Sequence, residues 1–360
     1  MSQDTECLAR VLRTGSRAYA AYAVNDLLES TPQAKVGFGA DPLSVWQNWM
    51  AVRVEELAAA VAAEQPKLFT SQVHWGKAVL AARGVSVEHF RSALTGLKRV
   101  LANELPDRVR ALAAQYLDES LDAFDEQPED VRPRVLPDTP HGRLASTYLL
   151  ALLEGDRRLA SRTILDAVEQ PASVGDVYLH VLLPAQTELG RMWMTGEINV
   201  AEEHFASHTT KMVMGQLLSR AKCRPHNGKT VLAAAVAGNR HDIGLCAVAD
   251  FFDMAGWRTI QLGADVPIND LAQAVECFDA DLVALSASLS VQFETAKSTI
   301  EAIRSGPRGD VVKILVGGLA FAESRNLAVE MRADGYASDP DEAVRLGGEL
   351  VGLPDGRHAE

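Results

Sequence analysis

Apolar positions recur along this chain with two different periods, and the change from one to the other divides it. From residue 5 to residue 124 they fall at steps of three and four, the spacing that gives a helix one apolar face. Residues 42–64 show this best, with Trp46, Met50, Val54, Leu57 and Val61 on one stripe. The pattern predicts helices over 5–30, 42–64, 68–83, 87–104 and 106–124. Between the third and fourth, Arg83-Gly84-Val85-Ser86 supplies a glycine stop and a serine cap. Residues 125–140 carry four prolines among several charges and predict a linker. Beyond it, 141–155, 157–170, 175–193 and 199–221 predict four further helices. Their short connections (Gly155-Asp156, Pro171-Ala172-Ser173, Thr195-Gly196) favour antiparallel neighbours in a compact bundle. Pro184 should kink the third of them.

At residue 229 the period changes. Lys229–Val236, Thr259–Leu262, Leu282–Ser286 and Lys313–Val316 are short apolar runs separated by amphipathic helical stretches. Strands alternating with helices predict a parallel sheet. The expected fold class is α/β plus all-α. A Rossmann- or flavodoxin-like domain covers 229–352, a four-helix bundle 141–225, and a helical module 1–124. Gly356–Glu360 should fray.

Composition then narrows the function classes. The formal net charge of −13 argues against nonspecific binding to nucleic acid or to an anionic membrane. Cys7, Cys223, Cys246 and Cys277 form no CxxC pair, which fits reduced thiols in a cytoplasmic protein. The first residues lack the basic and apolar regions of a signal peptide, and no apolar run is long enough for a membrane span.

Three loops should share one edge of the sheet, because each follows the C-terminal end of a parallel strand. They are Gly238-Asn239-Arg240-His241-Asp242-Ile243-Gly244, Ser286-Ala287-Ser288-Leu289-Ser290 and Val316-Gly317-Gly318. In an open α/β sheet that crevice is where ligands bind. Small residues there admit a bulky ligand close to the backbone. Gly244 is expected to let the following helix pack close, and Gly317-Gly318 to leave a slot. A generic flavodoxin-like domain, with His241 capping a helix or standing in solvent, is the plain alternative.

These elements resemble the cobalamin-binding domain of methionine synthase, the carbon-skeleton mutases and the cobalamin light sensors. That family carries Asp-x-His-x-x-Gly, then Ser-x-Leu, then Gly-Gly. The resemblance implies that His241 coordinates cobalt from below, displacing the cofactor's own base. It also implies that Ser286 contacts the nucleotide tail and that Gly317 and Gly318 line its slot. Asn239 stands where the family has an acid. Its oxygen could accept the imidazole N–H but carries no charge, so the tuning of the histidine should differ. Ser288 stands where the family has leucine, unless Ser288-Leu289 shifts the register.

The bundle resembles the cap over the upper face of the cofactor. Trp193, nine residues, then Glu203-His204 resembles the CarH-type adenosylcobalamin photoreceptors. Trp193 would stack on an adenosyl group, and Glu203 and His204 would hydrogen-bond its sugar. Met194 stands where those sensors have a cobalt-capturing histidine; His180, His208 or water could take that place instead. Residues 1–124 do not look like the DNA-binding domain of those sensors. The resulting expectation is a non-enzymatic cobalamin-binding sensor, with adenosylcobalamin favoured and a protein partner or self-assembly as output. The alternative is a corrinoid carrier serving methyltransferases.

Overall fold

The computed structural model describes residues 2–35, 41–126, 133–169, 173–322 and 326–354. Part of the predicted linker, the loop at Pro171-Ala172 and the tail 356–360 lie outside the described residues. The chain divides into two compact units, residues 1–132 and 133–360.

The first unit is built from α1 (Gln3–Ser30), α2 (Pro42–Ala62), α3 (Pro66–Ala82), α4 (Val87–Glu104) and α5 (Asp107–Asp122). No strand occurs among its described residues. The stripe read in α2 is its buried face: Trp46, Met50, Val54, Leu57 and Val61 are all fully inaccessible. Trp46 Nε1 donates to the Ala34 carbonyl at 2.9 Å, so its polar atom is satisfied inside the core. Ser86 sits at the N-cap of α4 as predicted, but its side chain makes no capping bond.

The second unit begins with the bundle. Its helices are α6 (Pro140–Leu153), α7 (Arg157–Glu169), the continuous stretch α8 (Val174–Val177) and α9 (Leu183–Thr195), and α10 (Val200–Leu218). Where Pro184 predicts a kink, one wide π-turn, Tyr178–Leu182, joins α8 to α9. Pro184 has no amide to donate, and the turn before it opens so that Leu183 N–H bonds to the Tyr178 carbonyl.

The sheet follows, with β1 (Thr230–Val236), β2 (Arg258–Val266), β3 (Leu282–Ser286), β4 (Lys313–Gly317) and β5 (Gly335–Ala337). All pairings are parallel, in the order β2-β1-β3-β4-β5. The helices between the strands are α11 (Ile243–Met254), α12 (Ile268–Cys277), α13 (Phe293–Ser305), α14 (Leu319–Ala322), α15 (Asn326–Glu330) and α16 (Pro340–Leu350). β5 and the C-terminal extension of β2 are additions to the four strands read from the sequence. Consecutive strands leave β1 in opposite directions, so the crevice between β1 and β3 is the topological switch point. Register places Ser286 beside Ala235 and Gly317 beside Ser286 at the C-terminal edge.

Bundle and sheet share one core. Ala247 and Phe251 of α11 pack among Tyr148, Tyr178, Val181, Val213 and Met214 of the bundle. At this junction the Tyr178 hydroxyl donates to Asp250 Oδ2 at 2.7 Å and lies 3.0 Å from the Met214 carbonyl. Burial pushes the Asp250 carboxyl up to about 6; the Tyr178 bond opposes this and Asp253 adds to it. The folded state thus holds the proton more tightly than the unfolded chain, whose carboxyl titrates near 4. Stability from this group is full below that value and is lost as pH rises through about 6. Relative to a pH-blind Asp250→Asn variant, the parent should lose on the order of 2 kcal/mol between about pH 4 and pH 6. Urea unfolding across that range checks it; a constant or rising difference contradicts it.

Candidate cofactor site

Loop 237–242 is built around Asn239, which is wholly buried. Its Nδ2 donates to the Ser286 carbonyl at 3.1 Å, and its Oδ1 accepts the backbone N–H of His241 at 3.1 Å. The second bond is an Asx-type turn. The backbone of Asn239 bonds to Val236 on one side and accepts from Asp265 on the other. A buried amide left without partners would cost about 1–3 kcal/mol, so these bonds fix the loop firmly. They also correct the expected role: the amide holds the main chain of His241, and the imidazole is not its partner. Among the described residues the His241 ring makes no hydrogen bond or ion pair and is exposed.

Two residues that the sequence did not single out brace the same loop. Asp265, at φ +54° near the C-terminal end of β2, accepts from Gly238 N–H at 2.6 Å. Gln292 accepts from the N–H groups of Ser288 and Leu289 and donates to the Gly238 carbonyl at 3.2 Å. Loops one and two are therefore tied directly across the switch point. Ser286 closes β3, and Ser288 is a half-buried loop residue whose amide Gln292 holds.

The glycines act differently from expectation. A Cβ on Gly318 would lie 2.2 Å from the Ala287 carbonyl, and φ is +97°. Gly318 secures a close crossing of the second and third loops, where no side chain would fit. At Gly317 a Cβ would stand 3.1 Å from the Ala337 carbonyl. Gly244, expected to allow close helix packing, has nothing within 4 Å of a Cβ position, and neither has Gly238. Open ground therefore lies beside His241. Two large apolar side chains stand exposed past the ends of β3 and β4, Leu289 (49%) in the second loop and Leu319 (78%) at the start of α14. A free imidazole with open ground beside it and apolar side chains nearby suits a large, partly apolar ligand.

On the bundle side, the turn after Trp193 is set by Gly196 in the left-handed region and by the Asn199–Glu202 capping box that starts α10. Arg191 bridges buried Glu188 and Glu197, and its hydrogen bond holds the Glu197 carboxyl below the usual range. Trp193 is 42% exposed. Glu203 accepts from Ser207 Oγ at 2.6 Å and pairs with His204 Nδ1 at 2.6 Å. Glu203 and His204 are thus brought together with each other. His180, by contrast, stacks on His141 with ring centroids 5.2 Å apart. It stands thirteen residues before Trp193, about 20 Å along a helix axis at 1.5 Å per residue.

Exposed His204, His208, Lys211 and Gly215 form one stripe along α10 at helical spacing. The stripe leads to the first loop: Lys211 Nζ lies 2.6 Å from Asp242 Oδ1. Next to this pair, burial pushes the Cys246 thiol up to about 11; Asp242 adds to the shift and Lys211 opposes it. Among the described residues no group of three or more His, Cys, Asp or Glu is arranged to hold a metal ion. A metal already held in a macrocycle needs only one protein ligand, and the exposed imidazole of His241 is such a donor.

Known proteins match this region. Residues 229–345 match the B12 binding domain family, and residues 144–218 match a second family described in the same words. These matches support a cobalamin-binding protein. A corrinoid protein of Desulfitobacterium hafniense (strain Y51) is 25% identical over 206 residues, 56% of this chain and 94% of that protein. The HTH-type transcriptional repressor CarH of Myxococcus xanthus is 28% identical over 210 residues, 58% of this chain and 69% of that protein. In fold, the monomethylamine corrinoid protein of Methanosarcina barkeri superposes with a TM-score of 0.52 at 18% identity, covering 58% of this chain and 98% of that one. A Rossmann-like domain of five parallel strands accompanied by helices is thus a shared architecture. No helix among the described residues is long and apolar enough to cross a membrane.

Asn239 carries one prediction. Asn239→Asp, which would give the acid of the resembled pattern, removes the donor to the Ser286 carbonyl and sets a buried carboxylate against it. It should destabilise the protein by about 2 kcal/mol or more. Chemical denaturation at pH 7 measures this. An unchanged midpoint would mean that the amide does not hold the loop.

Proposed function

We propose that this chain is a cobalamin-dependent sensor that takes adenosylcobalamin between the bundle and the C-terminal edge of the sheet. The observation that carries the reading is the placement of His241: main chain fixed by Asn239, ring free and exposed, open ground beside it. His241 would be the lower ligand to cobalt. Ser286, Ser288, Gly317 and Gly318 would border the nucleotide tail, with Asn239, Asp242 and Gly244 shaping the loop beneath the ring. Trp193, Glu203 and His204 would meet the adenosyl group. When bound, adenosylcobalamin would supply a cobalt–carbon bond that green light cleaves.

The chain's own residues would turn that loss into a signal. Trp193 offers a half-exposed face for stacking, and the Glu203–His204 pair offers a hydrogen-bonding edge. Contacts made in only one state of the ligand shift the bundle between positions. Residues 1–124 would pass the shift to a protein partner or to a second copy, without binding DNA, in the cytoplasm, and without catalysis. CarH, among the similar proteins, is by name a transcriptional repressor. The second reading is a corrinoid carrier acting with methyltransferases; it is favoured by the length of the match to the D. hafniense corrinoid protein.

The test is dark reconstitution with adenosylcobalamin, followed by size-exclusion profiles before and after green light. The expected result is a light-dependent change of elution volume, together with roughly tenfold or weaker binding by His241→Ala. An unchanged profile, with methyl transfer from bound methylcobalamin to an added methyltransferase, would establish the carrier instead.

A further inference from the structure

We infer that Lys211 and Asp242 form a clasp that holds the bundle against the loop carrying His241, and that cobalamin retention depends on this clasp. The inference rests on the cobalamin reading of the site. Lys211 is a positioning residue here, acting through Asp242.

The argument starts from a bond that is not made. Asp242 occupies the N-cap of α11. An aspartate there ordinarily accepts an amide of its own helix's first turn, with its backbone extended. Asp242 instead has φ −114° and ψ −3°, and its side chain makes no capping bond. Its carboxylate faces α10, where Lys211 Nζ stands at 2.6 Å. The Asp242 side chain is 11% exposed and that of Lys211 40%. A carboxylate so nearly buried is costly without a counter-charge, and Lys211 supplies one.

Asp242 is also the peptide neighbour of His241. Asn239 fixes the chain on one side of the histidine through its backbone N–H, and Asp242 fixes the other through α10. The ring projects from a segment anchored at both ends, and one anchor belongs to the bundle. If the bundle moves away, Asp242 loses its cation and regains access to the amides of its own helix. In the arrangement seen, the carboxylate serves Lys211 and makes no capping bond, so the pair couples the loop to the position of the bundle.

The experiment is a double-mutant cycle with Lys211→Met and Asp242→Asn on the full chain, read by absorbance titration with hydroxocobalamin. Each single variant should bind about tenfold more weakly, and the double variant no more weakly than the weaker single. Lys211→Arg should restore most of the affinity. Added salt should weaken the parent but not Lys211→Met. Singles that bind like the parent, or effects that multiply in the double variant, overturn the clasp. A parent that binds no cobalamin overturns the cofactor reading instead. The clasp is then judged on the apoprotein by the same cycle in urea midpoints, where non-additivity supports it and additivity overturns it. Lys222→Met, in an exposed loop, is the control expected to change none of these values.

Discussion

The buried side chain of Asn239 is the constraint on which the site depends. It spends one hydrogen bond on the end of β3 and one on the main chain of His241. The first bond ties the two loops at the switch point of the sheet. The second makes the histidine backbone rigid while leaving the ring uncommitted. A neutral amide does this better than a carboxylate could, because one of its two partners is itself a carbonyl oxygen. The replacement of the usual acid is therefore coherent with the rest of the loop, where Asp265 and Gln292 share the bracing.

The second theme is the continuity between bundle and sheet. One apolar core runs through Phe251, Tyr178 and Met214, and polar links flank it at Tyr178–Asp250 and Lys211–Asp242. The two polar links are spaced along α11, one at its N-cap beside the histidine loop and one about two turns further on. A change in the bundle thus has a mechanical route to the residue beside His241, and the route runs through charges whose partners can be exchanged.

Much of this was legible in the sequence, for identifiable reasons. Helices with a single apolar face announce themselves by spacing, as α2 did with Trp46, Met50 and Val54. Buried parallel strands announce themselves as short apolar runs, as β1 and β3 did. β5 did not, because Gly335-Tyr336-Ala337 is too short and too mixed to form a run. Pro184 signalled that the helix must yield, but not that it would do so as a π-turn. Candidate loops were legible because strand ends carry small and polar residues. Their mutual bonds were not: Asn239 with Ser286, Gln292 with Gly238 and Asp265 with Gly238 join residues 47, 54 and 27 positions apart. The Lys211–Asp242 pair was not legible either, since nothing local distinguishes a lysine that meets a loop from one that meets water. Gly244 and Gly318 show the same limit, since glycine composition does not say which side is filled.

The central claim is that the free imidazole of His241 is the ligand to cobalt. Electron paramagnetic resonance of the protein loaded with cob(II)alamin addresses it most directly. Protein grown with nitrogen-15 histidine and unlabelled cofactor should show the nitrogen splitting change from a triplet to a doublet, and His241→Ala should abolish the doublet. A triplet that persists with the labelled protein would mean that the cofactor keeps its own base, and would contradict the account.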